Sequence, residues 1–153
     1  MPFSTRRAQP DESDRLFDIW WRSASATHTF LSLEDLQTLA PAVRQLDLAS
    51  LDTWVLCEGA GGPVAFLVLA GAHIEALFVI PEWIGRGAGT ALLRHAHSLH
   101  ERLSVDVNEQ NIAAVSFYRA RGFVIRGRSE TDGEGRPFPL LHLSEEPLSA
   151  GAG

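Results

Sequence analysis

The chain has 153 residues, 45% of them apolar, which is the length of one domain and enough apolar material for one core. Thirteen basic residues against nineteen acidic ones leave a net charge of −6, so the chain lacks the basic stripe with which a nucleic-acid binder neutralises phosphates. A single cysteine, Cys57, excludes an internal disulfide and a thiolate zinc site. No apolar run approaches the roughly 18 residues of a membrane span, and Met1-Pro2-Phe3-Ser4 lacks the apolar stretch of a signal peptide. The expectation is a soluble, cytoplasmic protein: one domain over residues 1–147, then a disordered tail at 148–153. All thirteen basic residues are arginine, which excludes Schiff-base chemistry and a P-loop lysine within this chain.

Phe3 to Arg7 reads as a first strand. Asp11 is placed to cap a helix whose Leu16, Ile19, Trp20 and Ala24 recur at helical spacing. Ser32-Leu33-Glu34-Asp35 has the character of a capping box and opens a second helix, which Pro41 is expected to interrupt. Thr53 to Glu58, Val64 to Ala70 and His73 to Val79 read as strands separated by glycine turns. Thr90 to Arg102 carries one helical apolar face, with Leu92, Leu93, Ala96 and Leu99. A short strand at Ser104 to Val107, a helix at Asn111 to Arg121, and a strand pair at Phe123 to Thr131 and Phe138 to Leu143 complete the chain. The order βααβββαβαββ implies an α/β fold, a mixed sheet with helices on both faces.

Between the third middle strand and the following helix lies Gly85-Arg86-Gly87-Ala88-Gly89. A helix N-terminus offers unpaired N–H groups and a partial positive charge, and glycines let an anion approach the backbone, so this turn suits a phosphate. It is not a P-loop, because Gly89 is followed by Thr90-Ala91 and no lysine. It is not a Rossmann turn either, since the glycine required at the sixth position is replaced by Thr90 or, counting from Gly87, by Leu92. Asp106 stands about where a ribose-binding acid would, but the turn follows three antiparallel-looking strands. Offsets of two and five do not bring His95, His97 and His100 onto one helical face, so they read as surface histidines with no metal, and no Gly-x-Ser-x-Gly elbow is present.

Two segments resemble the GCN5-related N-acetyltransferase (GNAT) family. Ile84-Gly85-Arg86-Gly87-Ala88-Gly89 is similar to its pyrophosphate motif Gln/Arg-x-x-Gly-x-Gly/Ala. Asn111-Ile112-Ala113-Ala114-Val115-Ser116-Phe117-Tyr118-Arg119-Ala120-Arg121-Gly122-Phe123 is similar to Asn-x-x-Ala-x-x-Phe-Tyr-x-x-x-Gly-Phe. Ala26 to Leu31, Asn108 to Asn111, Gly127 to Glu130 and Pro139 to Leu141 extend the likeness, over nearly the whole chain, to small bacterial acetyltransferases of the family. One position departs: Ile84 stands where the motif has Gln or Arg, so a side-chain contact to phosphate is lost there unless Arg86 compensates.

The resemblance implies a mostly antiparallel GNAT sheet, acetyl-CoA as cosubstrate without a metal, and direct acetyl transfer to an amine in a ternary complex. The acceptor it implies is a small amine or a protein lysine or N-terminus, and the chain is a possible homodimer. Leu77, Phe78 and Val79 would lend backbone groups to the cosubstrate, and Gly85, Arg86, Gly87, Ala88, Gly89 and Thr90 would hold its pyrophosphate. Asn111, Ala114 and Phe117 would flank it, with helix capping as the competing role for Asn111. Tyr118, the only tyrosine, falls on the family's general-acid position, a phenol suited to protonating a thiolate. Glu75 is the first candidate base, with a pKa expected to be raised by desolvation. His73, two residues away on the same strand face, is the second, and a water relay the third. Trp21, His28, Phe30 and His73 would border the acceptor, although core packing competes for the tryptophans. A CoA-binding module without catalysis and a purely structural glycine turn are the alternative readings.

Overall fold

The computed structural model describes residues 3–27, 31–133 and 135–145. Seven strands form one sheet in the order β1-β2-β3-β4-β5-β7-β6. They are β1 (Phe3–Arg7), β2 (Asp52–Glu58), β3 (Pro63–Ala70), β4 (His73–Val79), β5 (Ser104–Asn108), β6 (Phe123–Ser129) and β7 (Leu140–Glu145). The helices are α1 (Ser13–Thr27), α2 (Leu33–Gln45), α3 (Ala88–Leu99) and α4 (Ile112–Ala120). The chain order is thus βααβββαβαββ, with short 3₁₀ turns at Pro10–Glu12, Leu48–Ser50 and Pro81–Trp83.

Neighbouring strands are antiparallel except β4 and β5, which run parallel. In β3 every residue from Pro63 to Leu69 is buried. Side chains alternate between sheet faces, so a strand buried at every position needs cover on both. The helices packed on it are α1 and α3, which therefore lie on opposite faces. Helix α1 presents Leu16, Ile19, Trp20, Ser23 and Ala24, and α3 presents Ala88, Leu92, Leu93 and Ala96. Among the described residues no helix is long and apolar enough to cross a membrane.

Several sequence expectations need correction. Asp11 lies inside the 3₁₀ turn rather than capping α1, and Glu12 Oε1 accepts the Gln9 N–H (2.8 Å) ahead of the helix. Pro41 does not interrupt α2, which runs on to Gln45. The carbonyl that Pro41 leaves without a donor belongs to Gln37, and both residues are exposed, so water can hydrate it. Helix α3 stops at Leu99, with His100 extended, and Leu103 is buried from the following loop. The last strand starts at Leu140, not Phe138. His95 is not a surface residue: its ring lies 4.2 Å from that of Trp54, and burial, then the Arg7 charge, lowers its pKa.

Candidate active site

The site begins where β4 leaves β5. Only His73↔Ser104 and Ile74↔Val105 pair between them. On its other side β4 pairs with β3 at Leu69↔Ile74 and Val68↔Ala76, so Glu75 is one residue too many and forms a bulge. A bulge bends the strand that carries it, and this one directly follows the last β4–β5 pair.

The ladders fix where the backbone points beyond that bend. Ile80 N–H bonds Val64 O (3.0 Å), so alternation turns the Ile80 and Phe78 groups toward β3, and those of Leu77 and Val79 toward the gap. On β5, Glu145 N–H bonds Leu103 O (3.1 Å) and Glu109 N–H bonds Pro139 O (2.9 Å). The intervening Asp106 and Asn108 therefore direct their backbone groups into the gap from the other side. The result is a split sheet in which, among the described residues, the backbone groups of Leu77 and Val79 on one inner edge and Asp106 on the other have no strand partner, while the Asn108 carbonyl accepts the Asn111 N–H (2.9 Å).

Two cavities meet in the split. The first, about 190 Å³, is lined by Ile74 to Phe78, Val105 to Asn108, Asn111, Ala114 and Tyr118. The second, about 340 Å³, is lined by Ser23 and Thr27 of α1, Leu77 to Val79, Trp83 to Gly85, Gly89, and Asn111, Ala113, Ala114, Phe117 and Tyr118. They share Leu77, Phe78, Asn111, Ala114 and Tyr118. Among the described residues, the second has no charged lining side chain, and the first has two carboxylates, Glu75 and Asp106, and no basic group.

The glycine turn closes one end of the second cavity. Gly85 (φ +80°) and Gly87 (φ +89°) occupy the left-handed region, and a Cβ on either would meet nothing within 4 Å, so backbone conformation requires glycine there. Gly87 is the N-cap of α3 and supplies no side-chain bond, which leaves the first-turn N–H groups of Ala88, Gly89 and Thr90 without intrahelical acceptors. At Gly89 the constraint is space: a Cβ would lie 3.1 Å from Phe117 Cζ. This close approach of α3 to α4 is what keeps the turn beside the split. The geometry fits a long anionic ligand with an extended arm. Phosphates can take the helix N-terminus, and an arm carrying amides can pair with Leu77 and Val79.

Tyr118 stands where the cavities join. Its ring makes edge contacts with Phe117 (5.1 Å) and Phe123 (5.2 Å) and is 6% exposed. Oη has no hydrogen-bond partner among the described residues and opens on the cavities it lines. Burial pushes the phenol above its ordinary range, so it keeps its proton. Asn111 is 9% exposed and lines both cavities, and its Oδ1 accepts the Ala114 N–H (3.2 Å) as the α4 cap.

The remaining candidates separate. Glu75 lines the first cavity but is exposed, so the burial on which its expected desolvation rested is missing. The bulge, and not simple alternation, sets its direction relative to His73. His73 lines neither cavity; its Nδ1 is 2.7 Å from Ser104 Oγ and its Nε2 3.5 Å from Asp106 Oδ2. Trp21 also lines neither cavity and packs beside the core, its ring 6.1 Å from that of Trp20. Arg86 lies over the Trp83 ring at 5.3 Å, and Ile84 is half exposed on the second cavity's rim. His28, Phe30 and the 148–153 tail lie outside the described residues.

Arg121 is a site residue the sequence reading missed. It donates to Thr90 Oγ1 from Nε (3.2 Å) and Nη2 (2.8 Å), and its guanidinium stacks 3.9 Å from the Phe117 ring. It thereby sets a positive charge at the α3 N-terminus. It occupies a variable place in the second motif, and nothing local in the sequence announces a partner 31 residues away.

Comparison with known proteins agrees with this geometry. The family profile described as Acetyltransferase (GNAT) domain matches residues 49–125. The chain is 44% identical to the peptidyl-lysine N-acetyltransferase YjaB of Escherichia coli (strain K12), over 94% of this chain and 97% of that one. It is 32% identical to the peptidyl-lysine N-acetyltransferase YiaC of the same organism, over 78% and 82%. The solution structure of apo YjaB from Escherichia coli superposes with a TM-score of 0.87 at 43% identity, covering 94% and 97%. PaiA N-acetyltransferase from Thermoplasma acidophilum, solved with coenzyme A, shares the fold at 17% identity, TM-score 0.78, over 96% of this chain and all of that one.

Proposed function

The chain belongs to the acetyltransferase (GNAT) family and is an acetyl-CoA-dependent N-acetyltransferase; from that premise we propose that its acceptor is the side-chain amine of a protein lysine. The observation that carries this reading is the charge of the first cavity. Among the described residues it offers Glu75 and Asp106 and no basic group, the lining expected where a lysine ammonium is to be drawn in and deprotonated. The relatives named for peptidyl-lysine acetylation, aligned over most of this chain, support it. The setting we propose is the cytoplasm.

Acetyl-CoA supplies an acetyl thioester and enters by the second cavity. First-turn N–H groups of α3 and the Gly85–Gly87 backbone hold its pyrophosphate, with the charge of Arg121 alongside. Leu77 and Val79 pair their free backbone groups with its pantetheine amides, while Phe78, Ala114 and Phe117 enclose the arm. The acceptor amine comes from the first cavity. Glu75 takes the ammonium proton, directly or through one water, and the freed amine attacks the thioester carbonyl. The C–S bond breaks as the C–N bond forms, Tyr118 gives its proton to the departing thiolate, and the second proton from nitrogen restores the phenol.

The test offers acetyl-CoA and, separately, a lysine peptide, a peptide whose only amine is its N-terminus, and spermidine, with thiol release and mass spectrometry as readouts. Because the chain contains no lysine, acetylation of its own lysine side chains cannot contribute to the signal. Acetylation at Nε of the lysine peptide, well above the other two, is the expected result. Turnover confined to spermidine or to the N-terminal amine refutes the lysine assignment.

A further inference from the structure

Beyond the split, the sheet carries an uncovered polar face. On β5 the side chains of Ser104, Asp106 and Asn108 alternate with the buried Val105 and Val107, and so share the side away from the core. His73 of β4 and His142 of β7 flank Asp106 on that side. His142 Nδ1 is 2.7 Å from Asp106 Oδ1, and His73 Nε2 is 3.5 Å from Asp106 Oδ2. A serine closes each end: His142 Nε2 is 2.7 Å from Ser129 Oγ, and His73 Nδ1 is 2.7 Å from Ser104 Oγ.

Hydrogen-bond chemistry gives this row a direction. An ionised carboxylate only accepts, so the ring nitrogens facing Asp106 carry the protons, and the far nitrogens of neutral imidazoles accept from the serine hydroxyls. Four strands thus contribute to fixing one carboxylate. A carboxylate has about four acceptor positions. Two are directed at imidazoles, which leaves capacity for a donor arriving through the cavity that Asp106 lines with Glu75 and Tyr118. Its side chain is 39% exposed, so a cation can reach it.

We infer that Asp106 is the specificity-determining anchor for the acceptor's positive charge, with His73 and His142 as its positioning residues. Asp106 hydrogen-bonds the incoming ammonium and selects cationic amines over neutral ones, while Glu75 serves as the base. His73, the second candidate base, has its Nδ1 engaged by Ser104 Oγ and its Nε2 turned toward Asp106 at 3.5 Å. This rests on the lysine reading and adds the group that recognises the charge.

The experiment compares two acceptors: a lysine peptide, cationic at pH 7, and the same peptide with 4-aminophenylalanine, whose aryl amine is neutral there. For Asp106→Asn, KM for the lysine peptide should rise by about tenfold or more, as for loss of a charge-assisted hydrogen bond. KM for the aryl amine and the affinity for acetyl-CoA, which also reports folding, should stay within about twofold. His142→Leu should raise KM for the lysine peptide alone, and His142→Asn, which restores a donor near the Nδ1 position, should recover most of the loss. Equal effects of Asp106→Asn on both peptides, or none on the lysine peptide, overturn the anchor while leaving lysine acetylation standing. A wild-type enzyme that acetylates the aryl amine but not lysine overturns both.

Discussion

Replacing Tyr118 by phenylalanine separates chemistry from packing at the centre of the site. The substitution removes one oxygen and keeps the ring that Phe117 and Phe123 contact edge-on. Oη bonds no described protein group, so no intramolecular hydrogen bond is lost, and stability should change by less than about 1 kcal/mol. Loss of a general acid costs ~10²–10⁴-fold in turnover, or roughly 3–5 kcal/mol in the barrier. The two magnitudes do not overlap. Thiol release at saturating substrates, thermal unfolding and calorimetric acetyl-CoA binding measure all three quantities on one preparation. A collapse in kcat at unchanged melting temperature and cofactor affinity is expected. A kcat within about threefold of wild type, where chemistry limits turnover, would refute the assignment.

The same residue gives a pH signature. Burial raises the folded-state pKa of Tyr118 above the ordinary phenol value near 10. The folded protein therefore holds this proton more tightly than the unfolded chain. The contribution is complete below pH 10 and is lost as pH rises from there toward the folded-state value. Wild type should lose stability relative to Tyr118→Phe above pH 10, and its acid should remain protonated throughout the neutral range. Parallel stability curves for the two proteins across pH 9–11 would contradict the burial of the hydroxyl.

Substitutions at three further positions probe the rest of the site. Gly87→Ala and Gly87→Asp both strain a left-handed residue by about 1–2 kcal/mol, but only aspartate opposes a phosphate. Acetyl-CoA affinity should fall at least tenfold further for aspartate, about 1.4 kcal/mol, and equal affinities would place the phosphates elsewhere. Gly89→Ala should cost about 1–3 kcal/mol in thermal or urea unfolding, because the new Cβ must displace a Phe117 ring held between Tyr118 and Arg121; unchanged stability would show that the ring yields freely. Glu75→Gln keeps size and hydrogen bonding and should lower turnover roughly 10²-fold, whereas full turnover would assign the proton to water.

What the sequence disclosed follows the range over which each signal acts. The glycine turn, the α3 face and the Asn111 cap depend on neighbours within a few residues, and each was readable from residue type and spacing. The strand ending at Val79 was readable from its β-type residue pattern, and the place of Tyr118 through the second motif. The bulge at Glu75 was not: it is a property of pairing with β3, and period-two alternation assumes it away. Asp106 was considered only as a ribose-binding acid, because its partner His142 lies 36 residues on and meets it only when β7 inserts between β5 and β6. Pro41 misled for the opposite reason. Proline opposes a helix locally, but the carbonyl it frees faces water, where its cost is small.

The gap between β4 and β5 is where acetyl-CoA should lie and meet the acceptor amine. Titrating the ¹⁵N-labelled protein with coenzyme A and following its backbone amide resonances checks that placement residue by residue. The largest shifts should fall on Leu77 and Val79, whose N–H groups face the gap, and on Ala88, Gly89 and Thr90 at the α3 N-terminus, with β1 and β2 little changed. Saturable binding that leaves Leu77 and Val79 unmoved and shifts residues away from the gap would contradict it.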